Sequence, residues 1–263
     1  MGNIALSIGD ATVGYRNGKT VVPVVTAINA TLSVGEVVAL IGMNGAGKST
    51  LLRTLSASQP PLSGKVEFTM GDVASLSSAE LAKCVSVVLT ENSFATLTVD
   101  ELVSLGRVPY TGFLGRLSSD DNAVVAAAME RMGVAHLAGR VVTTLSDGER
   151  QKCLIAKAIA QQTPLMLLDE PTAFLDFRSK VQLFRTLREL AADAGKAVVV
   201  STHDIEMALR FADRLWLICD GRLYEGSAQE LAADGLLQRF IDGDGIVYDK
   251  ENNRIEITHE GAV

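Results

Sequence analysis

Residues 36–41 read Glu-Val-Val-Ala-Leu-Ile and run without a break into Gly42, Met43, Asn44, Gly45, Ala46, Gly47, Lys48 and Ser49, with Thr50 next. No other stretch restricts the fold as much. Two glycines five apart, followed by lysine and serine, form a phosphate-loop pattern that requires a strand before it and a helix after it. The glycines let successive backbone N–H groups turn inward as a nest for an anion. The following helix points its positive end at the same spot. Lys48 adds a point charge suited to β- and γ-phosphates, and Ser49 offers a hydroxyl of the kind Mg²⁺ accepts while keeping several waters. Residues 49–58 carry a helical pattern, so the flanks supply the required strand–loop–helix order.

The surrounding chain has room for such a core. Strand-like alternation covers 4–14, a second β-rich stretch covers 21–34, and 65–70 reads as another strand. From about 92 to 160 the character becomes helical, with Thr98 and Glu101 spaced as a capping box and a helical period over 120–132. Strand and helix then alternate at 165–168, 178–193, 197–201, 204–212 and 214–219, which predicts a parallel sheet with helices on its faces. Beyond this, 229–240 reads as a helix and 245–257 as a hairpin, expected to cap a sheet edge.

Composition narrows the function classes. The 263 residues are 48% hydrophobic and 21% charged, an ordinary globular balance that excludes general disorder. With 24 Lys plus Arg against 31 Asp plus Glu, the net charge of −7 argues against a nucleic-acid partner. No run approaches the roughly 20 apolar residues of a spanning helix, and the N-terminus lacks a basic region followed by an apolar one. Cys84, Cys153 and Cys219 show no metal-ligand spacing and read as free thiols of a reducing compartment. The expectation is a soluble, cytosolic chain that reaches any membrane through a partner.

Three further sites carry chemistry. The apolar run Leu-Met-Leu-Leu at 165–168 ends in Asp169 and Glu170, placing two carboxylates where α/β sheets bind ligands. Asp169 would hold Mg²⁺ through a water, and Glu170 would orient and polarise an attacking water. The strand at 197–201 is followed by His203, expected near the terminal phosphate and linked to Glu170. Leu145, Ser146, Asp147, Gly148 and Glu149 precede a long helical run, with Ser146 as a natural N-cap and Gly148 allowing a ligand to approach closely.

In this order the motifs resemble the nucleotide-binding subunit of ATP-binding cassette (ABC) transporters over about residues 3–230. Residues 42–49 look like Walker A, 165–170 like Walker B with its catalytic glutamate, and 145–149 like the family signature. Asp176 lies in what looks like the D-loop, His203 resembles the switch histidine, and Tyr15 fits the aromatic that stacks on adenine. The resemblance implies an α/β fold: a P-loop NTPase core with a mostly parallel sheet, an antiparallel β subdomain and a helical insertion. It divides the chain into a cassette at 1–231, with the insertion at about 92–160, and an extension at 232–263. It further implies ATP and Mg²⁺, with Lys48, Glu170 and His203 catalytic. Ser49, Asp169 and Thr90 would be on the metal, and the remaining residues of 42–50 on the nucleotide. A homodimer of cassettes would set each ATP between one copy's phosphate loop and the other's Ser146–Glu149 and Asp176, at the cytoplasmic face of a membrane permease. A substrate-binding protein would take part indirectly.

The chain departs from the family pattern at three positions. Thr90, followed by Glu91, stands where the family usually has Gln, and Asp147 and Glu149 replace Gly and Gln of the signature. Carboxylates there would repel a partner's phosphate unless balanced by Arg150 or Lys152. The phrase Gly-Arg-Val-Pro-Tyr at 106–110 is similar to importers for ferric siderophores, haem and cobalamin, and it makes Phe94, Tyr110 and Phe113 candidates for contacting a permease. A soluble ABC-type ATPase or a nucleotide-dependent switch is the alternative.

Overall fold

The chain begins with two long strands, β1 (Ile4–Asn17) and β2 (Thr20–Ser33), then β3 (Val37–Gly42), α1 (Lys48–Leu55), β4 (Ser63–Phe68) and β5 (Gly71–Asp72). Next come α2 (Ser78–Cys84), β6 (Val85–Val88), α3 (Val99–Ser104), a 3-10 segment (Leu105–Tyr110), α4 (Ser119–Arg131) and α5 (Asp147–Ala160). Then follow β7 (Leu165–Asp169), α6 (Phe177–Ala194), β8 (Ala197–Ser201), α7 (Ile205–Phe211), β9 (Arg214–Cys219), β10 (Arg222–Gly226), α8 (Ala228–Ala233), α9 (Leu236–Ile241), β11 (Ile246–Asp249) and β12 (Arg254–Ile257). The computed structural model describes residues 3–18, 20–89, 96–112, 115–241, 246–249, 252 and 254–257.

Ten strands form one sheet in the order β5-β4-β1-β2-β10-β9-β3-β8-β7-β6. Strands β9, β3, β8, β7 and β6 are mutually parallel, while β5, β4, β1 and β2 pair antiparallel. The two regions meet where Arg222 of β10 pairs with Thr26 of β2. Every residue of β3, β7 and β8 is buried, as expected of strands covered on both faces.

Side chains alternate along these strands and so feed two cores. Val37, Ala39 and Ile41 face the core built with α5, α6 and α7, whereas Val38 and Leu40 face the core shared with Leu51, Leu52 and Leu55 of α1. The first helix therefore lies on the opposite face from α5–α7, and the loop between β3 and α1 crosses the end of the sheet. Helices α3 and α4 contribute Val103, Val125 and Met129 to the same core as α5.

Three features differ from what the sequence predicts. Ser77 and Glu80 form a capping box for α2, a helix that the strand-focused reading of this region passed over. The expected single helix at 229–240 is two short ones, α8 and α9, with Asp234 and Gly235 between them. Among the described residues the hairpin β11–β12 pairs with itself and with no other strand, and it packs on α9 and α7 rather than capping an edge of the large sheet. The buried Tyr248 explains this seat: its ring joins the core, and its N–H donates to Gln238 Oε1 at 3.1 Å.

The Gly-Arg-Val-Pro-Tyr phrase has a structural task. Buried Arg107 donates from Nε to Asp121 Oδ1 at 2.8 Å, and from Nη1 to Ala160 O and Gln162 Oε1, each at 2.9 Å. Its guanidinium lies 4.2 Å from the Tyr110 ring centroid, and the Tyr110 hydroxyl donates to Gln161 O at 2.9 Å. This node pins the 3-10 segment to the end of α5. Tyr110 is thus committed to the insertion by its hydroxyl, with part of its ring exposed. Phe94 and Phe113 lie outside the described residues.

Asp121 links this node to acid stability. Hydrogen bonds from Ser118, and then from Arg107, hold its carboxyl down to about 2 against an ordinary 3.8. A carboxyl depressed in the folded state stabilises above its unfolded value, and the contribution is lost as pH falls from about 4 to about 2. Asp121→Asn should therefore unfold more easily than wild type at pH 6, with the gap narrowing toward pH 2. Denaturant melts at the two pH values test this, and a gap that does not change with pH counts against it.

Candidate functional site

The loop across the end of the sheet is built around its lysine. Gly47 adopts φ +109°, and a Cβ there would lie 2.7 Å from Val24 Cγ1 and 2.8 Å from Val25 Cγ2, so only glycine fits between loop and β2. The Ala46 N–H donates to Met43 O at 3.1 Å and tightens the turn. Lys48 is buried, and its Nζ donates to Gly42 O at 2.7 Å and Met43 O at 3.2 Å. Burial pushes the Lys48 amine below its ordinary value, while the nearby Glu170 and Asp169 charges push it back up.

Facing the loop, β7 and β8 end side by side, with Asp169 paired in register with Ser201. The Ser201 hydroxyl donates to Asp169 Oδ1 at 2.6 Å and accepts the Glu170 N–H at 2.9 Å. One hydroxyl therefore fixes the carboxylate of one acid and the backbone of the next. Glu170 sits at φ +47°, a left-handed conformation unusual for a residue with a side chain and of the kind found at functional sites. His203 Nε2 lies 2.5 Å from Glu170 Oε1. The expected link between His203 and Glu170 is present.

These elements surround a cleft of about 210 Å³ lined by Tyr15, Val24, Asn44, Gly45, Gly47, Lys48, Ser49, Thr50 and Glu170. Tyr15 is half exposed on its strand, and its hydroxyl is 2.5 Å from Thr50 Oγ1, which aims the ring along the cleft wall. Met43 is largely exposed at the rim. Val24 and Ser201 were not singled out from sequence. Both sit on strands that were read correctly, and only the fold brings them to the cleft.

Ser146, Asp147, Gly148, Glu149 and Asp176 do not line this cleft. Ser146 caps α5, with Glu149 closing a capping box. A Cβ on Gly148 would lie 3.0 Å from the Phe174 carbonyl oxygen, so the close approach this glycine permits within the chain is to the 172–175 loop. Asp176 caps α6 through the Ser179 N–H at 2.7 Å; that bond, with the nearby Lys152 and Arg178, holds its carboxyl below the usual range. Thr90 and Glu91 lie outside the described residues.

The donor set suits a phosphate-bound Mg²⁺. Among the described residues no group of three His, Cys, Asp or Glu gathers as a self-sufficient metal cage. One carboxylate, Asp169, and one hydroxyl, Ser49, beside an anion nest are the sparse protein ligands Mg²⁺ uses when phosphates and waters complete its shell.

A phosphate nest with a buried lysine, set against paired acids at the carboxyl edge of a parallel sheet, defines a P-loop nucleoside triphosphatase. Residues 25–173 match the ABC transporter family model, and the chain belongs to that family. It is 43% identical over 222 residues, 84% of this chain and 78% of the other, to the hemin import ATP-binding protein HmuV of Streptomyces coelicolor. It is 37% identical over 233 residues, 87% of this chain and 83% of the other, to the ferric enterobactin transport ATP-binding protein FepC of Escherichia coli. The ATP-binding cassette MJ0796, solved as a dimer in a post-hydrolysis state with ADP and Pi, superposes with a TM-score of 0.76 at 28% identity, covering 84% of this chain and 98% of that one.

Ser201→Ala should leave the fold intact yet remove one hydrogen-bond donor from the Asp169 carboxylate and the acceptor of the Glu170 N–H. Loss of such a supporting hydroxyl costs roughly 10- to 100-fold in activity or metal affinity. The expected readout is a lower turnover number with a raised Mg²⁺ requirement; an unchanged Mg²⁺ titration would show that the hydroxyl has no such role.

Proposed function

We propose that the chain is the ATP-hydrolysing subunit of a membrane importer for an iron–siderophore, haem or cobalamin-type chelate, and that it works as a pair of copies. One observation supports this reading: the cleft is small, and the residues that resemble the signature do not line it. Its volume of about 210 Å³ falls below the roughly 300–1,000 Å³ of closed ligand pockets, while the signature residues face elsewhere on the chain. A two-fold pair, in which each copy adds Ser146–Glu149 and Asp176 to the other's cleft, would complete two sites at once. The dimeric MJ0796 cassette with ADP and Pi supports this reading.

Within a completed site, the backbone nest of 42–47 and Lys48 would hold the β- and γ-phosphates. Tyr15 and Val24 would receive the adenine. Ser49 and Asp169 would hold Mg²⁺, which when bound neutralises charge on the phosphate oxygens. Glu170 would accept a hydrogen bond from the attacking water through the carboxylate that His203 steadies at Oε1. The chemistry asks mainly for position, and Ser201 supplies it to both acids.

The cargo class rests on the hemin and ferric enterobactin relatives together with the Gly-Arg-Val-Pro-Tyr phrase. Among the described residues no helix is long and apolar enough to cross a membrane, so transport would need a separate permease with this chain bound at its cytoplasmic face. A substrate-binding protein would deliver the cargo from the far side.

Two experiments test the reading. Glu170→Gln should lower ATP turnover by about 10²-fold or more while ATP still binds, and Lys48→Ala should abolish binding; equal hydrolysis rates would remove Glu170 from its role. Purification of the tagged chain from native membranes should recover a polytopic permease with its binding protein. Recovery of soluble partners alone, at normal yield of intact chain, would instead favour an ATPase uncoupled from transport.

A further inference from the structure

The Ser146 end of α5 already holds an anion. The Ser146 N–H and Oγ–H both donate to one oxygen, Glu149 Oε2, at 2.9 and 2.7 Å. The Glu149 N–H returns a bond to Ser146 Oγ at 3.3 Å. Among the described residues the N–H groups of Asp147 and Gly148 have no hydrogen-bond partner. The first turn of this 14-residue helix therefore presents five donors: two are taken by the chain's own carboxylate, and a third, the Glu149 N–H, by Ser146 Oγ.

The surrounding charges keep that carboxylate in place. The Ser146 bonds, with weaker help from Arg140 and His136, hold the Glu149 carboxyl below the ordinary range, so it is ionised under cellular conditions. Asp147 adds a second carboxylate at the same turn, and it is paired with Arg150. Lys152, two residues further along the helix, acts on Asp176. An approaching phosphate would meet the donors it needs, but with an anion seated on them.

We infer that Glu149 is a resident competitor for the place that a second copy's nucleotide takes at the Ser146 end of α5, so that displacing its carboxylate is a step in ATP-driven pairing and opposes it. The inference rests on the paired arrangement proposed above. It gives the departure from Gln at this position a consequence. A neutral amide can close the same capping box, but it holds the two donors less strongly than a carboxylate and does not repel the phosphate.

The test uses full-length chain in the Glu170→Gln background, so that bound ATP persists. The pairing constant is measured by sedimentation in saturating ATP and Mg²⁺, with and without Glu149→Gln. The amide should tighten pairing about fivefold or more, and the advantage should shrink as salt rises. The nucleotide-free melting temperature should fall only slightly, because the amide keeps the cap in a weaker form. Equal or weaker pairing by the Glu149→Gln chain overturns the inference and leaves the proposed function standing. No ATP-dependent pairing in either chain removes the paired arrangement itself, and the inference with it.

Discussion

A charge at the buried end of a strand is tolerated only when something nearby answers it, and the whole cleft follows from that requirement. Lys48 is withdrawn from water and answered by the carbonyls of Gly42 and Met43 on one side and by Asp169 and Glu170 on the other. Asp169 is answered by Ser201, which also holds the backbone on which Glu170 turns. Each partner arrives on a different parallel strand or on the loop leaving one. Because β3, β8 and β7 are neighbours, their ends deliver lysine, serine and acids to one place. These short apolar strands thus matter to the chemistry chiefly by where they stop.

The same economy of placement governs the helical part. Helix α5 has a capped end and an anchored end. Its N-terminus carries Ser146–Glu149, which resemble the family signature, and its C-terminus is gripped by Arg107 and Tyr110 through the carbonyls of Ala160 and Gln161. Gln161 in turn donates to Ala82 O at 2.7 Å and Val85 O at 3.1 Å, which ties the helix to the start of β6. The phrase that resembled chelate importers proves to be this clamp.

Much of the site was legible because its pieces are contiguous in sequence. The nest, Lys48 and Ser49 lie within eight residues, and Asp169 and Glu170 close an unmistakable apolar strand. His203 was legible as a polar residue just past the end of an apolar strand, and its Nε2 lies 2.5 Å from Glu170 Oε1. What escaped was long-range and chemically plain. A serine ending an apolar strand, as Ser201 does, looks like any strand terminus until Asp169 is found opposite it in register. Val24 reads as one more β-branched residue until the loop at Gly47 is seen pressed against it. The hairpin was recognised, but alternation cannot say what a strand pair will pack on. The buried Tyr248, unremarkable in sequence, sent it to the helices instead of the sheet edge.

The contact between Gly148 and the Phe174 carbonyl has a consequence for how such a chain can diverge. A methyl at 148 would press on that oxygen at 3.0 Å and push the 172–175 loop outward. Asp176, two residues beyond Phe174, caps α6 and would shift with the loop. The neighbours of Gly148 are held differently, by polar contacts of their side chains: Asp147 pairs with Arg150, and Glu149 accepts from Ser146. Variation in charge beside Gly148 therefore acts through polar contacts, whereas added bulk at 148 asks the 172–175 loop to give way. A lineage drifting from this sequence could retune the electrostatics of the helix end many times over without altering the shape on which those charges are carried.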